Sequence, residues 1–176
     1  MSADNARFAL DTNLLVYAID SAAGARHDAA DQIIQHAVRL DCWLTLQAVS
    51  EFYAVVTRKG IVQPPDAAAQ AADWLDLFPC AAASEAAVRT ALADAAVGRA
   101  SYWDALLVAT AGEAGCRVIL TEDLAGGADL GGIRIRNPFS PSGGLTEQTR
   151  GLLGLPAPKP NKMSDPKMAR SPQTSP

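Results

Sequence analysis

Short apolar runs alternate along the chain with longer segments whose apolar residues recur at helical spacing. Residues 101–123, SYWDALLVATAGEAGCRVILTED, show this pattern most clearly. Asp104 lies in the first turn of an apolar helical segment, Gly115 indicates where the helix stops, and residues 117–121 form a β-branched run. We predict a helix followed by a buried, central strand. Ligands bind beyond the carboxyl ends of parallel strands, so Asp123, just past this strand, is expected to face a ligand crevice.

The same alternation runs through the rest of the chain. We predict an α/β fold with a central, mainly parallel twisted sheet and helices on both faces. The predicted strands are residues 8–10, 42–46, 79–83 (weak), 117–121 and, as an edge strand, 133–136. One predicted helix starts after Asp11 and another ends before Gly115. The others are residues 25–40, 47–59, 67–78, which follows Pro64 and Pro65, and 84–97.

Composition divides the chain into two parts. A chain of 176 residues with 49% hydrophobic residues suits one domain with a proper core. Six of the eleven prolines lie beyond residue 151, and few large aliphatic residues follow Leu155. We therefore expect residues 1–140 to form one domain and residues 141–176 a flexible tail containing Pro and Lys. The tail, net +3 beyond residue 150, is either a basic arm that touches nucleic acid or a partner, or a segment irrelevant to activity.

Cysteine spacing and hydropathy indicate the compartment. Cys42, Cys80 and Cys116 lie far apart without the spacing of a zinc site, as is typical of reduced thiols in the cytosol. The N-terminus does not resemble a signal peptide, and no apolar run reaches the roughly 18 residues of a membrane span. We expect a soluble, cytoplasmic protein with no membrane partner.

Four carboxylates carry the chemical signal. Asp11 and Asp123 each follow a predicted strand, and Glu51 and Asp104 each begin a predicted helix. A right-handed α/β topology would bring all four to one edge of the sheet. Taken singly, Asp11 is also a good helix cap and Glu51 an ordinary solvated helix residue.

Crowded carboxylates raise each other's pKa unless cations lie among them. Ligation by oxygen alone suits Mg²⁺ or Mn²⁺, and such ions can promote hydrolysis of a phosphodiester. The net charge of −4 is unusual for a protein that binds nucleic acid. The chain contains no glycine-rich phosphate loop and no GxSxG elbow, which argues against an enzyme with a nucleotide cofactor and against a serine hydrolase.

At this point four segments together resemble the PIN-domain ribonucleases, in particular the VapC toxins of bacterial toxin–antitoxin pairs. The segments are ALDTNLLVYAID, SEFYAVVTRKG, SYWDALLVATA and VILTEDLAGG, within residues 8–138. The resemblance implies a PIN-like three-layer sandwich and a Mg²⁺- or Mn²⁺-dependent endoribonuclease that leaves a 5′-phosphate and a 3′-hydroxyl. It also implies a homodimer held inactive by a cognate antitoxin. The acidic quartet of the family matches Asp11, Glu51, Asp104 and Asp123, with Thr12, Asn13 and Thr121 as polar neighbours.

Each residue of this site receives an expected role. We expect Asp11 and Asp104 to be the principal metal ligands, Asp123 to bind the metal directly or through water, and Glu51 to position the attacking water. We expect Glu122 to be a solvated residue that points elsewhere. By charge alone, three basic residues are candidate phosphate contacts, namely Arg58, Lys59 and Arg99. The alternative is that they are ordinary exposed residues.

Two other functions remain open at this stage. The first is a catalytically silent PIN scaffold that binds RNA or protein. The second is a haloacid-dehalogenase-like phosphatase, which also has an Asp after its first strand. The Asp-x-Asp pattern of those phosphatases would need a carboxylate where this chain has Asn13.

Overall fold

The computed structural model describes residues 6–124, 127 and 129–157. The strands are β1 (Phe8–Leu10), β2 (Cys42–Thr45), β3 (Cys80–Ala81), β4 (Val118–Leu120), β5 (Asp129–Leu130) and β6 (Ile133–Arg136). The helices are α1 (Thr12–Ile19), α2 (Ala25–Ala37), α3 (Leu46–Arg58), α4 (Pro64–Leu77), α5 (Glu85–Ala96), α6 (Tyr102–Glu113) and α7 (Glu147–Leu152), with a short 3₁₀ turn at Ser21–Ala23. None of the helices in these ranges combines the length and apolar composition that crossing a membrane requires.

The six strands form one sheet in the order β3-β2-β1-β4-β6-β5. All neighbouring strands are parallel except β5 and β6. The strand before Asp123, β4, is central, as predicted. The prediction that β6 is an edge strand is wrong, because Gly131 and Gly132 both adopt positive φ and turn the chain tightly from β5 into β6. The two-residue β5 therefore occupies that edge.

Alternating side chains of the strands build two cores, one on each face of the sheet. On β1, Phe8 and Leu10 pack into the larger core with α1 to α4 and α7, whereas Ala9 packs on the other side. Ile119 of β4 joins Ala9 in the second core, which α6 covers. Helices therefore cover both faces of the sheet and the molecule has three layers, with α5 packed on α6. This agrees with the predicted α/β sandwich.

The folded part extends beyond residue 140. Phe139 pairs with Leu145, and α7 places Leu152 and Leu153 in the larger core, 6% and 4% exposed. The predicted end of the domain at residue 140 is therefore too early. The reason is that a helix of six residues is too short to show helical periodicity, although Thr146 caps it by accepting a hydrogen bond from the Thr149 amide. The tail predicted beyond it, from residue 158 on, lies outside the described residues.

We expect truncation after residue 140 to destabilise the protein. Loss of α7 removes two buried leucines, worth about 1.5 to 3 kcal/mol each, which corresponds to a fall in melting temperature of roughly 10 °C. Deletion of residues 157–176 is the matched control, and its composition predicts an unchanged melting temperature. Thermal melting followed by circular dichroism compares the two truncations. Equal melting after the longer truncation would show that α7 contributes no stability.

Candidate active site

Asp11 joins the ends of the two central strands. Its amide donates to the Leu120 carbonyl (3.1 Å), which continues the pairing of β1 with β4. One carboxylate oxygen accepts from the Thr12 amide (2.7 Å), and the other accepts from the Thr121 hydroxyl (2.7 Å). Asp11 thus caps α1, as expected from its residue type alone, and its side chain also reaches the residue after β4. With only 9% of its surface exposed, this carboxylate is held firmly at the carboxyl edge of the sheet.

Asn13 lies between two carboxylates. Its Nδ2 atom is 3.4 Å from Asp11 Oδ2, 3.2 Å from Asp123 Oδ2 and 3.3 Å from Thr121 Oγ1. The Asp123 amide in turn donates to Thr121 Oγ1 (3.1 Å). The amide group of Asn13 therefore bridges Asp11 and the exposed Asp123. The Oδ1 atom of Asn13 is buried and has no hydrogen-bond partner in the described part of the chain.

Glu51 joins the same network from α3. Its carboxylate accepts from Thr12 Oγ1 (3.3 Å) and from Gln47 Nε2 (2.8 Å). The expectation that Glu51 begins a helix is wrong, because Thr45 caps α3 by accepting from the Ala48 amide and the helix starts at residue 46. Glu51 is in the second turn, where the helix dipole contributes little. Hydrogen bonds, and not the dipole, therefore hold this carboxylate.

Asp104 lies beside this network without joining it. It occupies the first turn of α6, as predicted, and its carboxylate accepts from the Ser101 hydroxyl (2.6 Å) while its amide donates to the same oxygen (3.2 Å). Gln47 Nε2, which binds Glu51, also donates to the carbonyl of Trp103 (3.0 Å), the residue before Asp104. The start of α6 is thus fastened to α3, but among the described residues no hydrogen bond links the Asp104 carboxylate to the other three acids.

The three predicted phosphate contacts lie away from the acids. Arg58 ends α3 and Lys59 follows it. Arg58 is seven positions beyond Glu51, about 10 Å along the helix toward the opposite edge of the sheet. Arg99 pairs with Asp94 (2.8 Å) and lines a cavity of about 470 Å³ beside α5 and α6. None of the three contacts an acid of the network.

Comparison with known families places the fold. The profile of the PIN domain matches residues 8–125, from β1 to just beyond Asp123. The chain belongs to the PIN-domain family. This confirms the resemblance on which the sequence analysis relied.

A solved structure shows the same fold. The crystal structure of the Mycobacterium tuberculosis toxin VapC20, described as cleaving the sarcin-ricin loop, matches this PIN domain with a TM-score of 0.55 and 16% sequence identity. The match covers 66% of this chain and 89% of that chain. At this identity the likeness shows the fold. A comparison with curated proteins finds no match.

The network of this PIN domain carries uncompensated negative charge. Burial is the main cause that raises the pKa of Asp11 to about 6; repulsion from Asp123 and Glu51 contributes, and the hydrogen bonds from Thr121 and Thr12 oppose it. None of the ion pairs among the described residues includes Asp11, Glu51, Asp104 or Asp123. A hydrogen-bonded carboxylate would normally have a low pKa, so the network favours an added positive charge.

A divalent cation is the cofactor implied by the family, and the donors fit it in chemical type. Asp11 and Asp123 offer only oxygen atoms, and the Asn13 amide already lies between them where positive charge is favourable. As the side chains stand, the described residues contain no group of three or more His, Cys, Asp or Glu placed to hold one ion. The residues that could hold the ion are therefore Asp11 and Asp123 in the network and Asp104 beside it, with Glu51 near by.

Glu122 was expected to be solvated, and that expectation is wrong. Arg26 Nε donates to its Oε1 atom (2.9 Å) and the Tyr17 hydroxyl to its Oε2 atom (2.8 Å). The Arg26 contact lowers the pKa of Glu122, whereas burial and Glu122 raise the pKa of Tyr17 to about 12. This anchor lies across 96 residues of sequence, so local pattern could not reveal it. It holds Glu122 apart from the network while the next residue, Asp123, joins it.

Gln47 is the other contributor that sequence reasoning missed. It precedes Glu51 by four residues, a spacing at which helical side chains interact, so the pair could have been found from the sequence. Its contact with the carbonyl of Trp103 could not, because it joins two helices.

Without metal, we expect stability to fall as pH rises from about 4 to 7. The pKa of Asp11 rises from 3.8 to about 6 on folding, so folding favours the protonated acid, and up to about 3 kcal/mol of stability is lost as the pH passes through 6. Asp11→Asn lacks this titration. In EDTA, the melting temperature of this variant relative to that of the wild type should therefore rise between pH 4.5 and pH 7.5.

The control is Asp73→Asn, which removes an exposed carboxylate from the middle of α4. The difference in melting temperature between Asp73→Asn and the wild type should be the same at both pH values. A constant difference for Asp11→Asn as well would show that the Asp11 carboxylate is not destabilised by its surroundings.

Proposed function

We propose that this PIN domain is a metal-dependent endoribonuclease that hydrolyses RNA phosphodiester bonds and is the toxin of a toxin–antitoxin module. The proposal rests on one observation above all. Asp11, Asp123 and Glu51 share a hydrogen-bonded network at the carboxyl edge of the sheet, and no basic side chain in the described residues neutralises them. Family membership supports nuclease activity, and the similar VapC20 structure, described as a sarcin-ricin loop cleaving toxin, supports RNA as the substrate class.

The residues divide the work between holding charge and orienting water. A bound Mg²⁺ or Mn²⁺ would supply Lewis acidity and lower the pKa of an attacking water. Asp11 is kept in place by Thr12 and Thr121, so its oxygen atoms keep a fixed position. Glu51, oriented by Thr12 and Gln47, is assigned to accept a hydrogen bond from the attacking water.

Asp123 and Asp104 complete the acidic edge. Asp123 is exposed and is oriented by Asn13, so it can meet an ion from the solvent side. Asp104 adds negative charge at the start of α6, and its carboxylate, which now accepts from Ser101, would help to hold a bound ion. In this proposal Asp11 and Asp104 remain the principal ligands.

The finer parts of the proposal follow from the family resemblance. They are a 5′-phosphate and a 3′-hydroxyl as product ends, a cytoplasmic location, a homodimer, and inhibition by a cognate antitoxin. Large exposed apolar side chains on α3 and at the start of α6 offer surface for a protein partner, namely Leu46, Tyr53 and Trp103, which are 42%, 40% and 58% exposed.

A catalytically silent scaffold is the less favoured function. A scaffold has no need of a buried carboxylate whose pKa is raised to about 6, since such a group destabilises the fold at neutral pH. The phosphatase reading is weaker still, because Asn13 lies where a second carboxylate is required and donates to Asp11 and Asp123.

We expect Asp11→Asn and Asp104→Asn each to reduce single-turnover cleavage of labelled RNA by more than about 100-fold. Loss of a residue that merely supports a ligand costs about 10- to 100-fold, and loss of a ligand's charge should cost more. Circular dichroism checks that each variant is folded, and Asp73→Asn serves as the control with full activity. A folded variant that cleaves at the wild-type rate in saturating Mg²⁺ would remove that residue from the ligand set.

We also expect Mg²⁺ or Mn²⁺ to raise the melting temperature, because an ion bound only by the folded protein stabilises it by mass action and relieves the repulsion between carboxylates. At 100 times the dissociation constant the gain is about 2.7 kcal/mol. A variant with Asp11, Asp104 and Asp123 all changed to Asn should show no such gain. An equal gain in that variant would place the ions elsewhere on the protein.

A further inference from the structure

Two arginines of β6 project from one face of the sheet. Ile133 and Ile135 are buried in the core under α6, so Arg134 and Arg136, which alternate with them, lie on the opposite face. A cavity of about 580 Å³ opens there. Its lining consists of Gly127, residues 134–137 and Gln148 of α7.

This cavity lies next to the acidic network. β6 is parallel to β4 and Arg136 is in register with Leu120, so the two strands are about 5 Å apart at this level. The Thr121 amide donates to the Arg136 carbonyl (3.0 Å). Thr121 is the residue that holds Asp11 and contacts Asp123, and Arg136 is therefore one strand away from the proposed cleavage site.

The two guanidinium groups have no carboxylate partner among the described residues. Asp129 is directly opposite Arg134 on β5, but its carboxylate accepts from the Gly132 amide (2.9 Å) and forms no ion pair with the arginine. In the same part of the chain, four other arginines do pair with acids, namely Arg7, Arg26, Arg89 and Arg99. The cavity thus presents positive charge that is available to a ligand.

The polar groups around the arginines add donors. The Oδ1 atom of Asn137 accepts from the Phe139 amide (2.9 Å), which leaves its amide nitrogen as a donor. Gln148 contributes a second amide side chain. Guanidinium and amide donors around a cavity of this size match the oxygen atoms of phosphate groups.

We propose that Arg134 and Arg136 bind the backbone phosphates of the RNA strand beside the scissile bond. The proposal rests on the proposed ribonuclease function, for which it supplies the substrate-binding surface. A chain of net charge −4 with carboxylates at its cleavage site repels a polyanion, so local positive charge is required next to that site. Arginine suits this task because its planar fork binds phosphate oxygen atoms in pairs. The sheet face then leads the strand from the arginines to Asp123 and Asp11.

The test is the affinity for a single-stranded RNA oligomer, measured by fluorescence anisotropy in EDTA across a salt series. Arg134→Ala with Arg136→Ala should weaken binding at low salt by at least about tenfold, and each lost phosphate contact should flatten the salt dependence by about 0.7 log units. Arg39→Ala is the matched control, since Arg39 is an exposed arginine in the turn before β2, at the opposite edge of the sheet. Melting temperatures check folding. A variant with Arg134→Lys and Arg136→Lys keeps both charges and should retain most of the salt dependence.

Two results would overturn the site. One is unchanged affinity and salt dependence in the folded double Ala variant. The other is competition by inorganic phosphate as strong as that by RNA at equal phosphate concentration, since this would indicate a site for a single anion. Because binding is measured without metal, a wild-type protein that binds RNA through these arginines but cleaves none would refute the nuclease function and leave the site standing.

Discussion

The hydrogen bond from the Thr121 hydroxyl to the Asp11 carboxylate is the contact on which the site depends. It joins the ends of β1 and β4, which are already paired through the Asp11 amide and the Leu120 carbonyl. Because Thr121 is fully buried, the bond is shielded from water, and it sets where α1 begins and where the chain goes after β4. Asn13 and Asp123 approach each other only because both flank this joint.

This joint places a carboxylate where the surroundings disfavour its charge. Burial and the neighbouring Asp123 and Glu51 raise the pKa of Asp11, and the two threonine hydrogen bonds offset only part of that effect. Glu122 shows the alternative arrangement, an acid of the same loop that is paired with Arg26 and contributes no unmet charge. Residues at positions 122 and 123 thus serve opposite purposes. The first anchors the loop, and the second adds to a negative field that a cation can relieve.

Much of the fold could be predicted from local pattern. Ser84 and Gly115 mark helix boundaries as predicted, because a cap or a positive φ depends on a few adjacent residues. The C-terminal helix α7 was missed, since six residues provide too few turns to show a period. The edge position of β5 was missed for the same reason, as two residues cannot show alternation.

The sequence by itself determined that Asp11 and Asp123 follow strands and that Asp104 begins a helix, because apolar periodicity and capping residues are local properties. Only the tertiary structure decided which of those acids share hydrogen bonds. It directs Asp104 to Ser101, joins Glu51 to Thr12, and places the arginines of β6 one strand from Thr121. These outcomes depend on strand register and on side-chain direction between segments distant along the chain. A spacing of residues in one dimension does not contain that information.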